Sequence, residues 1–528
     1  MYQDMKHINI TLGTGLCALL LTTTISCTNS YEDYNQDPYA VSKEEMQRNA
    51  YSLSSALINL ESWVIPTDVN ANQFTECLCG GSYSGYISDS NPGFAGKNFA
   101  QYSPENGWDR VLFVDFIPKL FIYSNQVYNV TEDIVPRSVA QIIKVAGIHR
   151  ITDAYGPIPY SKVGADGKIT APYDSQENVY NLMFSQLDSA ITNLTANRTN
   201  DFSPKADHVY GGKVEKWIKF ANSLKLRLAI HIAKASPDKA KQMAEEAVNH
   251  AIGVFTDNTD NAELTISSTN PFYVVMHEYN GVENNHGDSR VGANIISYMN
   301  GYNDPRRAAI FTQSTFTNAS NGFHGLRSGI SIPSQAVSNM YSNYKVATDS
   351  KLLWMNAAEV AFLRAEGALR GWNMGGTVQN FYEQGIRLSF EQWGVTGIDS
   401  YLSDNSSTPE PYNDPVGLNS YSGSVSTATI AWSNSASEEE KLEKIITQKW
   451  LANFPLGQEA WTEYRRTGFP KLMPVVVNNS GGIVNSERGA RRLYYPQEER
   501  LNNKENNDAT LQLLGGPNNM ATDVWIAK

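Results

Sequence analysis

Two glutamates on one predicted helix, Glu359 and Glu366, have the residue type that glycoside hydrolysis requires. Seven residues apart on a helix, they are separated by about 10.5 Å along the axis, at about 1.5 Å per residue. Glycosidases hold their two carboxylates about 5–5.5 Å apart when retaining and about 6.5–9.5 Å apart when inverting. Glu366 also has Arg370 one turn further on as a salt-bridge partner. We therefore do not expect this pair to be catalytic.

Other catalytic and metal-binding patterns are incomplete. The sequence contains no G-x-S-x-G nucleophile elbow, no H-E-x-x-H zinc motif and no G-x-x-x-x-G-K phosphate loop. His277, Glu278, His286 and Asp288 lack the i, i+4 spacing of zinc ligands on a helix. Residues 257–263 lack the ligand spacing and closing glutamate of an EF-hand. We expect no metal, no other cofactor and no enzymatic activity.

Aromatic and amide side chains in long loops predict ligand binding instead. The chain has 28 Tyr and 10 Trp, and rings with apolar faces and polar edges suit a surface that contacts a polar ligand. In sugar-binding proteins such rings cover the C–H faces of the pyranose, while Asn, Asp or Arg side chains bond its hydroxyls. The predicted ligand-binding residues are Tyr83, Tyr86, Phe99, Tyr102, Tyr273, Tyr279, Asn280 and Arg290. The alternative for each single ring is packing in a small core beneath its loop.

The first 26 residues are predicted to be a lipoprotein signal peptide. Lys6 gives a thin positive region, and the apolar run at residues 8–25 is too short and interrupted for a stable membrane span. The sequence "TISC" at residues 24–27 resembles a bacterial lipobox, with threonine in place of the usual aliphatic first residue. Cys27 is therefore the predicted lipid attachment point, and residues 27–45 form a tether. The alternative is an ordinary cleaved signal with an incidental cysteine.

Charge and cysteine content exclude two further classes of protein. The net charge of −12 argues against a phosphate-backbone partner, so nucleic-acid binding is not expected. Apart from Cys27, the predicted attachment point, only Cys77 and Cys79 remain after the signal peptide, which is too few for a disulfide framework. We interpret both as small semi-buried residues, with a short-range disulfide as the minor alternative.

The elements that must position these side chains are mainly helices. A capping box at Asp174 and Glu177 begins a helix whose apolar face repeats at three- and four-residue steps. The same period occurs in residues 214–232, 352–372, 377–393 and 437–454. Ser236-Pro237 begins a further helix, and Gly468 with Pro470 ends one.

Pairs of adjacent helices predict a mainly α fold of stacked hairpins that resembles tetratricopeptide repeats, although no strict 34-residue repeat is present. One domain is expected over residues 46–528, with loop excursions near residues 80–107, 265–347 and 396–435. Loops of this length inside a compact domain are usually functional or disordered, and the aromatic residues of the first two argue against disorder.

Five sequence blocks resemble the SusD/RagB-like outer-membrane lipoproteins, in the order expected for that family. They are "RITDAYGPIPYSKV" at residues 150–163, "KWIKFANSLKLRLAIHIA", "AAEVAFLRAEGALRGW", "ITQKWLANFPLGQEAWTEYRRTGFPKL" and "RRLYYPQEERLNN". The "RRTGFP" stretch is similar to the SusD-like branch with an RRTG[FY]P block. The resemblance covers nearly all of the chain after the signal peptide, and five ordered blocks are more specific than any one motif.

The resemblance implies a lipid-anchored protein of the outer-membrane surface that is not an enzyme. Such a protein captures an oligomeric nutrient, a glycan or a peptide, and passes it to a SusC-like TonB-dependent transporter. A surface glycan hydrolase with carboxylates in the cleft is the alternative. A helical scaffold that binds protein is a third interpretation, and it overlaps the first through the transporter contact.

The most recognisable block residues are expected to be structural. Trp217, Trp450 and Trp461 occur at helical spacing and are predicted to pack in the interior. Arg465 and Arg466 lie near a predicted helix end, where cations complement the helix dipole. Trp108, at a predicted helix start, is also assigned to packing. The binding residues are therefore expected in the loops.

Overall fold

Helices make up most of the regular structure. The computed structural model describes residues 51–165, 170–279, 287–317 and 322–528. Within these ranges the longer α-helices are α1 (Tyr51–Glu61), α2 (Phe116–Val130), α3 (Ile134–Tyr155), α4 (Gln176–Ala196), α5 (Val214–His231), α6 (Pro237–Asn249), α7 (Ala293–Gly301), α8 (Ala357–Leu369), α9 (Val378–Gln392), α10 (Glu438–Ala452), α11 (Gly457–Thr467) and α12 (Lys504–Leu514).

Short elements connect the long helices. In the described part of the chain, two segments are π-helical, Gln73–Gly81 and Val274–Glu278. Short α-helices are Val69–Asn72, Ser82–Ser84, Val111–Val114, Pro271–Tyr273, Arg306–Ile310, Gln335–Ser338, Ile398–Leu402 and Gln497–Asn502, and 3-10 helices are Pro92–Phe94, Pro204–Ala206, Asn258–Asp260 and Trp525–Ala527. The strands are β1 (Ile87–Asp89), β2 (Ile158–Pro159), β3 (Tyr173–Asp174), β4 (Ala262–Leu264), β5 (Ser289–Val291) and β6 (Leu352–Met355). They form three antiparallel pairs, β1 with β5, β2 with β3 and β4 with β6.

Helix α4 follows the predicted periodicity. Its apolar face is buried, as expected: Val179, Met183, Leu187, Ile191 and Leu194. The cap is one residue later than predicted, because the Ser175 hydroxyl accepts a hydrogen bond from the Asn178 amide at 3.1 Å. Asp174 instead lies in β3, where its carboxylate accepts a hydrogen bond from the Ser161 amide at 2.7 Å.

Two other predicted helix boundaries are confirmed. Pro237 occupies the first turn of α6, directly after Ser236, where its missing amide donor costs nothing. Gly468 ends α11 with a φ of 80°, a left-handed conformation that glycine adopts without a Cβ penalty. Its amide donates to the Tyr464 carbonyl at 2.8 Å, which satisfies one of the last carbonyls of the helix.

The long helices pack mainly against their neighbours in sequence. α2 packs on α3, α3 on α4, α4 on α5 and α5 on α6, while α8 contacts α5, α9 and α10. Trp217, Trp450 and Trp461 lie inside this core, which confirms their predicted packing role. Residues Leu53–Lys528 form one compact unit. Among the described residues, no helix has the length and apolarity needed to cross a bilayer.

The segment predicted as a loop at residues 80–107 begins inside the π-helix Gln73–Gly81, which crosses the start of α11 with backbones in close contact. A Cβ on Gly80 would lie 2.5 Å from the Gln458 amide nitrogen, and one on Gly457 would lie 2.4 Å from the Gly81 nitrogen. Only glycine permits this approach. The first part of the predicted loop is therefore held in the interior, and only its later residues reach the surface.

Candidate ligand-binding surface

Three half-buried aromatic rings from three different elements lie together at the surface. The Trp108 ring stacks on Phe74, with centroids 5.4 Å apart and planes at 19°, and meets Phe94 edge-on at 4.8 Å and 74°. Each of the three rings remains partly exposed. Ring faces of this kind suit the C–H faces of a sugar. We call Phe74, Phe94 and Trp108 the aromatic surface.

Local backbone contacts hold two of these rings in place. The Asn91 side-chain oxygen accepts a hydrogen bond from the Gly93 amide at 2.8 Å and so caps the short helix Pro92–Phe94. The Trp108 amide donates to the Glu105 carbonyl at 2.9 Å in a turn before the next helix. Turns fixed in this way give each ring a defined orientation.

Asp288 connects the first predicted loop to the second. Its carboxylate accepts hydrogen bonds from the Gln73 side-chain amide at 2.8 Å and the Asn91 side-chain amide at 2.9 Å. The Asp288 carbonyl also accepts from the Ser90 amide at 2.9 Å. Burial raises the pKa of Asp288, although the bonds from Gln73 and Asn91 oppose this rise. One carboxylate thus ties together the residues next to Phe74 and Phe94.

Tyr279 and Tyr273 lie on the second predicted loop and are both half-buried. The Tyr279 hydroxyl donates to the side-chain oxygen of the exposed Asn70 at 2.8 Å. Burial raises the pKa of Tyr279, and the nearby charges of Asp288 and Asp68 add to the rise. The Tyr273 ring stacks on His277 with centroids 5.1 Å apart. Of the predicted aromatic residues, these two therefore keep part of their ring surface exposed.

Three other predicted binding residues are buried in the core. Tyr86 is fully buried, and its hydroxyl donates to the Trp450 carbonyl. Phe99 is also fully buried. The Arg290 guanidinium donates to the Asn339 side-chain oxygen at 2.7 Å, and burial lowers its pKa to about 10. These side chains pack or bond within the protein here, so they offer no open face to a ligand.

Tyr83 and Tyr102 lie in the interior next to a small cavity. Their rings stack at 6.3 Å, and Tyr83 also packs against Trp461 at 4.8 Å. Tyr102 has a φ of 58°, which is uncommon for a residue with a side chain. The alternative given for a single loop ring, packing in the interior instead of binding a ligand, therefore applies to Tyr83, Tyr86, Phe99 and Tyr102.

Two predicted functional residues, Cys27 and Asn280, lie outside the described residues. Cys77 and Cys79 are free thiols, and both are fully buried rather than semi-buried. Burial raises the pKa of each thiol above its usual range. A disulfide between them is therefore not present, and neither thiol is reactive in this environment.

The two glutamates considered for catalysis are held in buried ion pairs. Glu359 accepts two hydrogen bonds from the Arg227 guanidinium, both at 2.7 Å. Glu366 pairs with Arg370 at 2.7 Å, as the spacing predicts, and with Arg466 at 2.7 Å. Both carboxylates have at most 1% exposure, so neither can reach a substrate.

The two arginines of the recognisable block have bonded partners inside the protein beyond the predicted helix dipole. Arg466 is bound by carboxylates, since Glu463 accepts from it at 2.8 Å and Glu366 at 2.7 Å. Arg465 lies over the Trp461 ring at 3.7 Å and donates to backbone carbonyls, including that of Asp153. Neither guanidinium is available to bind an external anion.

One group of described residues has metal-ligand types close together. Ligand atoms of His231, Glu459 and Glu463 lie within 4.8 Å of one another, and all three residues are buried. The Lys449 ammonium lies 2.8 Å from a Glu459 oxygen and 3.6 Å from a Glu463 oxygen. Both carboxylates are thus already paired with a cation of the chain.

Two carboxyl groups near the aromatic surface have perturbed pKa values. Burial raises the pKa of Asp109, adjacent to Trp108, to about 7. Burial, with the charge of Asp288, raises the pKa of Asp89 to about 8. Asp89 is only 3% exposed, whereas Asp109 is 9% exposed. Asp109 is therefore the better placed of the two for contact with a ligand.

Sequence reasoning missed Phe74 and assigned Trp108 only to packing. Trp108 does pack, but it also presents part of its ring at the surface. The sequence feature that could have identified Phe74 as a binding residue is its position beside the side-chain amides of Asn70, Asn72 and Gln73. Aromatic and amide side chains together are typical of sugar sites. The pairing of Gln73 with Asp288, 215 residues apart, has no sequence signal.

Comparison with protein families gives one match over almost the entire chain. A family model described as SusD-like, Susd and RagB outer membrane lipoprotein, matches residues 33–527. No curated protein is significantly similar to the chain. The match agrees with the resemblance of the five sequence blocks.

Several solved structures are similar to this chain over most of its length. A SusD homolog from Bacteroides uniformis is 53% identical with a TM-score of 0.87, covering 90% of this chain and 99% of the other. A SusD homolog from Bacteroides ovatus is 42% identical with a TM-score of 0.84, covering 91% and 100%. A SusD homolog from Flavobacterium johnsoniae, described as chitin-binding, is 38% identical with a TM-score of 0.85, covering 90% and 98%. The helical fold predicted from the sequence is thus confirmed.

Proposed function

This chain belongs to the SusD-like family of Susd and RagB outer membrane lipoproteins, and we propose that it captures a glycan at the cell surface without cleaving it. The captured oligomer is then passed to a SusC-like TonB-dependent transporter. Support for a glycan comes from the aromatic surface and from the Flavobacterium johnsoniae relative, which is described as chitin-binding. A peptide is the alternative ligand.

The observation that carries this proposal is the combination of ring faces and bonded polar groups on one surface. Phe74, Phe94 and Trp108 provide apolar faces, while Asp288 fixes Gln73 and Asn91 beside them. Sugars present apolar C–H faces ringed by hydroxyls, so a site needs both kinds of group. Preorganised side chains lose little entropy when a ligand binds.

The anchoring part of the proposal rests on Cys27. Acyl chains attached there contribute about 0.8 kcal/mol per buried methylene, so two or more chains hold a folded domain at a membrane. Cys27→Ser should release the protein from the membrane fraction. Mass spectrometry of the wild-type N-terminal peptide should show a diacylglyceryl modification. An unmodified cysteine would instead favour the alternative, an ordinary cleaved signal peptide with an incidental cysteine.

Isothermal titration of the full lipoprotein in detergent micelles tests the binding. The panel contains chitin-derived and other neutral oligosaccharides together with peptides. We expect saturable binding of one saccharide class, weakened about ten-fold or more by Trp108→Ala or Phe94→Ala, because a few buried aromatic contacts dominate most binding sites. Trp432→Ala is the matched control, since its half-buried ring packs on Tyr382 elsewhere in the fold. Preferential binding of peptides would overturn the glycan proposal.

A hydrolase remains the second candidate because of Asp109, whose raised pKa is a common property of general acids. Chromatography of each titrated saccharide after overnight incubation tests it. We expect intact ligand, because Glu498, the carboxylate whose charge also raises the pKa of Asp109, is ion-paired with Arg110 at 2.7 Å. Products that disappear with Asp109→Asn would establish the hydrolase instead.

A further inference from the structure

A second concave region lies at the C-terminal end of α11. It has a volume of about 560 Å³ and shares no lining residue with the aromatic surface. We call it the basic cleft. Its charged and aromatic lining is provided mainly by Lys234, Tyr421, Tyr464, Lys471, Arg488 and Arg491.

The basic cleft has more cationic groups than nearby carboxylates. Lys234 and Lys471 are exposed, and neither forms an ion pair with any residue in the described ranges. The Lys471 ammonium lies 4.7 Å from the centroid of the Phe469 ring. Arg488 and Arg491 both bond the same carboxylate, Asp523, the first at 2.9 Å. Two of these four cationic side chains thus bond a carboxylate and two do not. This is a local concentration of positive charge in a chain whose net charge is −12.

Glu487 is an exposed carboxylate of the lining, so Lys234, Lys471, Arg488 and Arg491 exceed Glu487 and Asp523 by two positive charges. Arg465 and Arg466 also line the cleft, but their guanidiniums are bonded within the protein. Tyr464 is half-buried and its hydroxyl donates to the Glu487 carbonyl at 2.9 Å. Tyr421 is also half-buried, so both rings keep exposed surface. The cleft therefore combines two lysines that form no ion pair among the described residues with aromatic faces.

A smaller cavity of about 40 Å³ adjoins the cleft and shares Tyr464 and Glu487 with it. Ser82, Tyr83 and Ser328 line this cavity, and each has at most 9% exposure. The hydroxyl oxygens of all three are buried without a hydrogen-bond partner. Buried polar atoms normally have partners, so these hydroxyls indicate bound water or a polar ligand group.

We propose that the basic cleft is a binding site for the carboxylate-bearing sugar of an acidic oligosaccharide. Lys234 and Lys471, with Arg488, bind the carboxylate, and the Tyr421 and Tyr464 rings contact the sugar faces. Charge-assisted hydrogen bonds of this kind are about twice as strong as neutral ones. The inference rests on the proposed function in taking a glycan as the ligand, and it adds the charge of that glycan.

An acidic peptide fits the cleft less well than an acidic saccharide. Peptides bound in extended form pair their backbone with an exposed strand edge. None of the residues that line the cleft belongs to β1–β6. A wide polar cleft with ring faces and adjoining hydroxyls instead suits a ligand that carries many hydroxyl groups.

Titration of the full lipoprotein in detergent micelles with trigalacturonic acid and with a neutral galactose trimer tests the proposal. We expect the acidic trimer to bind at least ten-fold more tightly at low salt, and this preference to shrink as salt screens the charges. The double variant Lys234→Gln/Lys471→Gln should remove most of the preference. The double variant Lys205→Gln/Lys241→Gln changes two exposed lysines elsewhere and should leave the preference intact.

The outcomes separate this inference from the proposed function. If no saccharide binds at all, the proposed function fails. If neutral saccharides bind in a manner that depends on Trp108 and the acidic trimer shows no preference, only the basic cleft proposal is overturned. Binding of tetraglutamate as tight as that of trigalacturonic acid would also overturn it, in favour of an acidic peptide site.

Discussion

Arg227, Lys449 and Arg466 lie between helices with at most 5% of each side chain exposed, and each bonds a carboxylate at 2.7–2.8 Å. Phe74 and Trp108, by contrast, keep part of each ring at the surface and are held by turns and by a few side-chain bonds. The first region is a scaffold in which each of these buried cations is paired with a carboxylate. The second is a surface on which part of each ring makes no contact with the rest of the protein.

The buried ion pairs are therefore expected to determine stability, and the exposed rings are expected to determine ligand binding. Removing one member of a buried ion pair leaves an uncompensated charge in the interior, which is strongly destabilising. Removing a half-exposed ring removes contact area that a ligand uses, with a smaller effect on folding. Variants in the scaffold should therefore change the free energy of unfolding, and variants in the aromatic surface should mainly change ligand affinity.

Arg466→Met should have the largest effect on stability. The change leaves Glu463 without its 2.8 Å partner and Glu366 with only the half-exposed Arg370. Burial alone would raise the pKa of Glu366, but Arg466 and Arg370 outweigh it and lower the pKa to about 2. We expect a loss of about 3–5 kcal/mol in the free energy of unfolding, measured by urea denaturation.

The control for this change is an arginine pair at the surface. Arg387 is 49% exposed and bonds Asp399, 84% exposed, at 2.9 Å. Arg387→Met should cost no more than about 1 kcal/mol, because solvent screens such a pair. Equal losses from the two substitutions would mean that burial does not distinguish the scaffold from the surface.

His231 should make the scaffold lose stability in alkaline solution. Burial alone would lower its pKa, but the charges of Glu459 and Asp153 outweigh burial and raise the pKa to about 9. The ordinary pKa of about 6.5 applies in the unfolded chain, so the folded state binds more protons between these values. The contribution is fully present below about pH 6.5 and is lost as pH rises through about 9.

The expected loss is about 3 kcal/mol at most, since one pKa unit corresponds to about 1.36 kcal/mol. Urea denaturation between pH 6 and pH 10 measures it, with His231→Gln as the comparison. The neighbouring His149 has a pKa lowered to about 4, mainly by burial, so it does not titrate in this range. An unchanged pH dependence in His231→Gln would contradict the assignment.

The scaffold was largely predictable because helices form from local sequence. The apolar period of α4 and the glycine stop at Gly468 are short-range signals, and both agree with the structure. The pairing of Glu366 with Arg370 also follows from their i, i+4 spacing. The pairing of Glu366 with Arg466 spans 100 residues and depends on tertiary packing. No sequence pattern shows it.

The binding surface was less predictable for the same physical reason. Tyr83 and Tyr273 have similar sequence surroundings, since both lie in segments rich in aromatic and polar residues. Burial separates them, because the close crossing of Gly80 and Gly457 places Tyr83 in the interior. Exposure of a loop ring thus depends on contacts far along the chain, which periodicity does not encode.

Asp288→Asn should weaken the link between the two loops of the binding surface. The carboxylate accepts bonds from Gln73 and Asn91 on separate oxygens, whereas an asparagine side chain has one accepting oxygen. We expect faster hydrogen exchange at residues 92–97, a cost of about 1–2 kcal/mol in stability and several-fold weaker glycan binding. Asp399→Asn, at an exposed aspartate, is the control and should change none of the three.

Tyr279→Phe should give the smallest effect and the finest test of the comparison. It removes the hydroxyl that donates to Asn70 at 2.8 Å but keeps the half-buried ring. Because the bond lies at the surface, its loss should cost less than about 1 kcal/mol in stability. Glycan affinity should fall by no more than a few-fold if the ring supplies the contact, whereas Tyr279→Ala should cause a larger loss.

Tyr273→Phe is the matched control, since no hydrogen bond is shown for its hydroxyl among the described residues. If Tyr279→Phe abolishes glycan binding while the unfolding midpoint stays unchanged, the hydroxyl itself bonds the ligand, and the surface recognises polar groups more than ring faces.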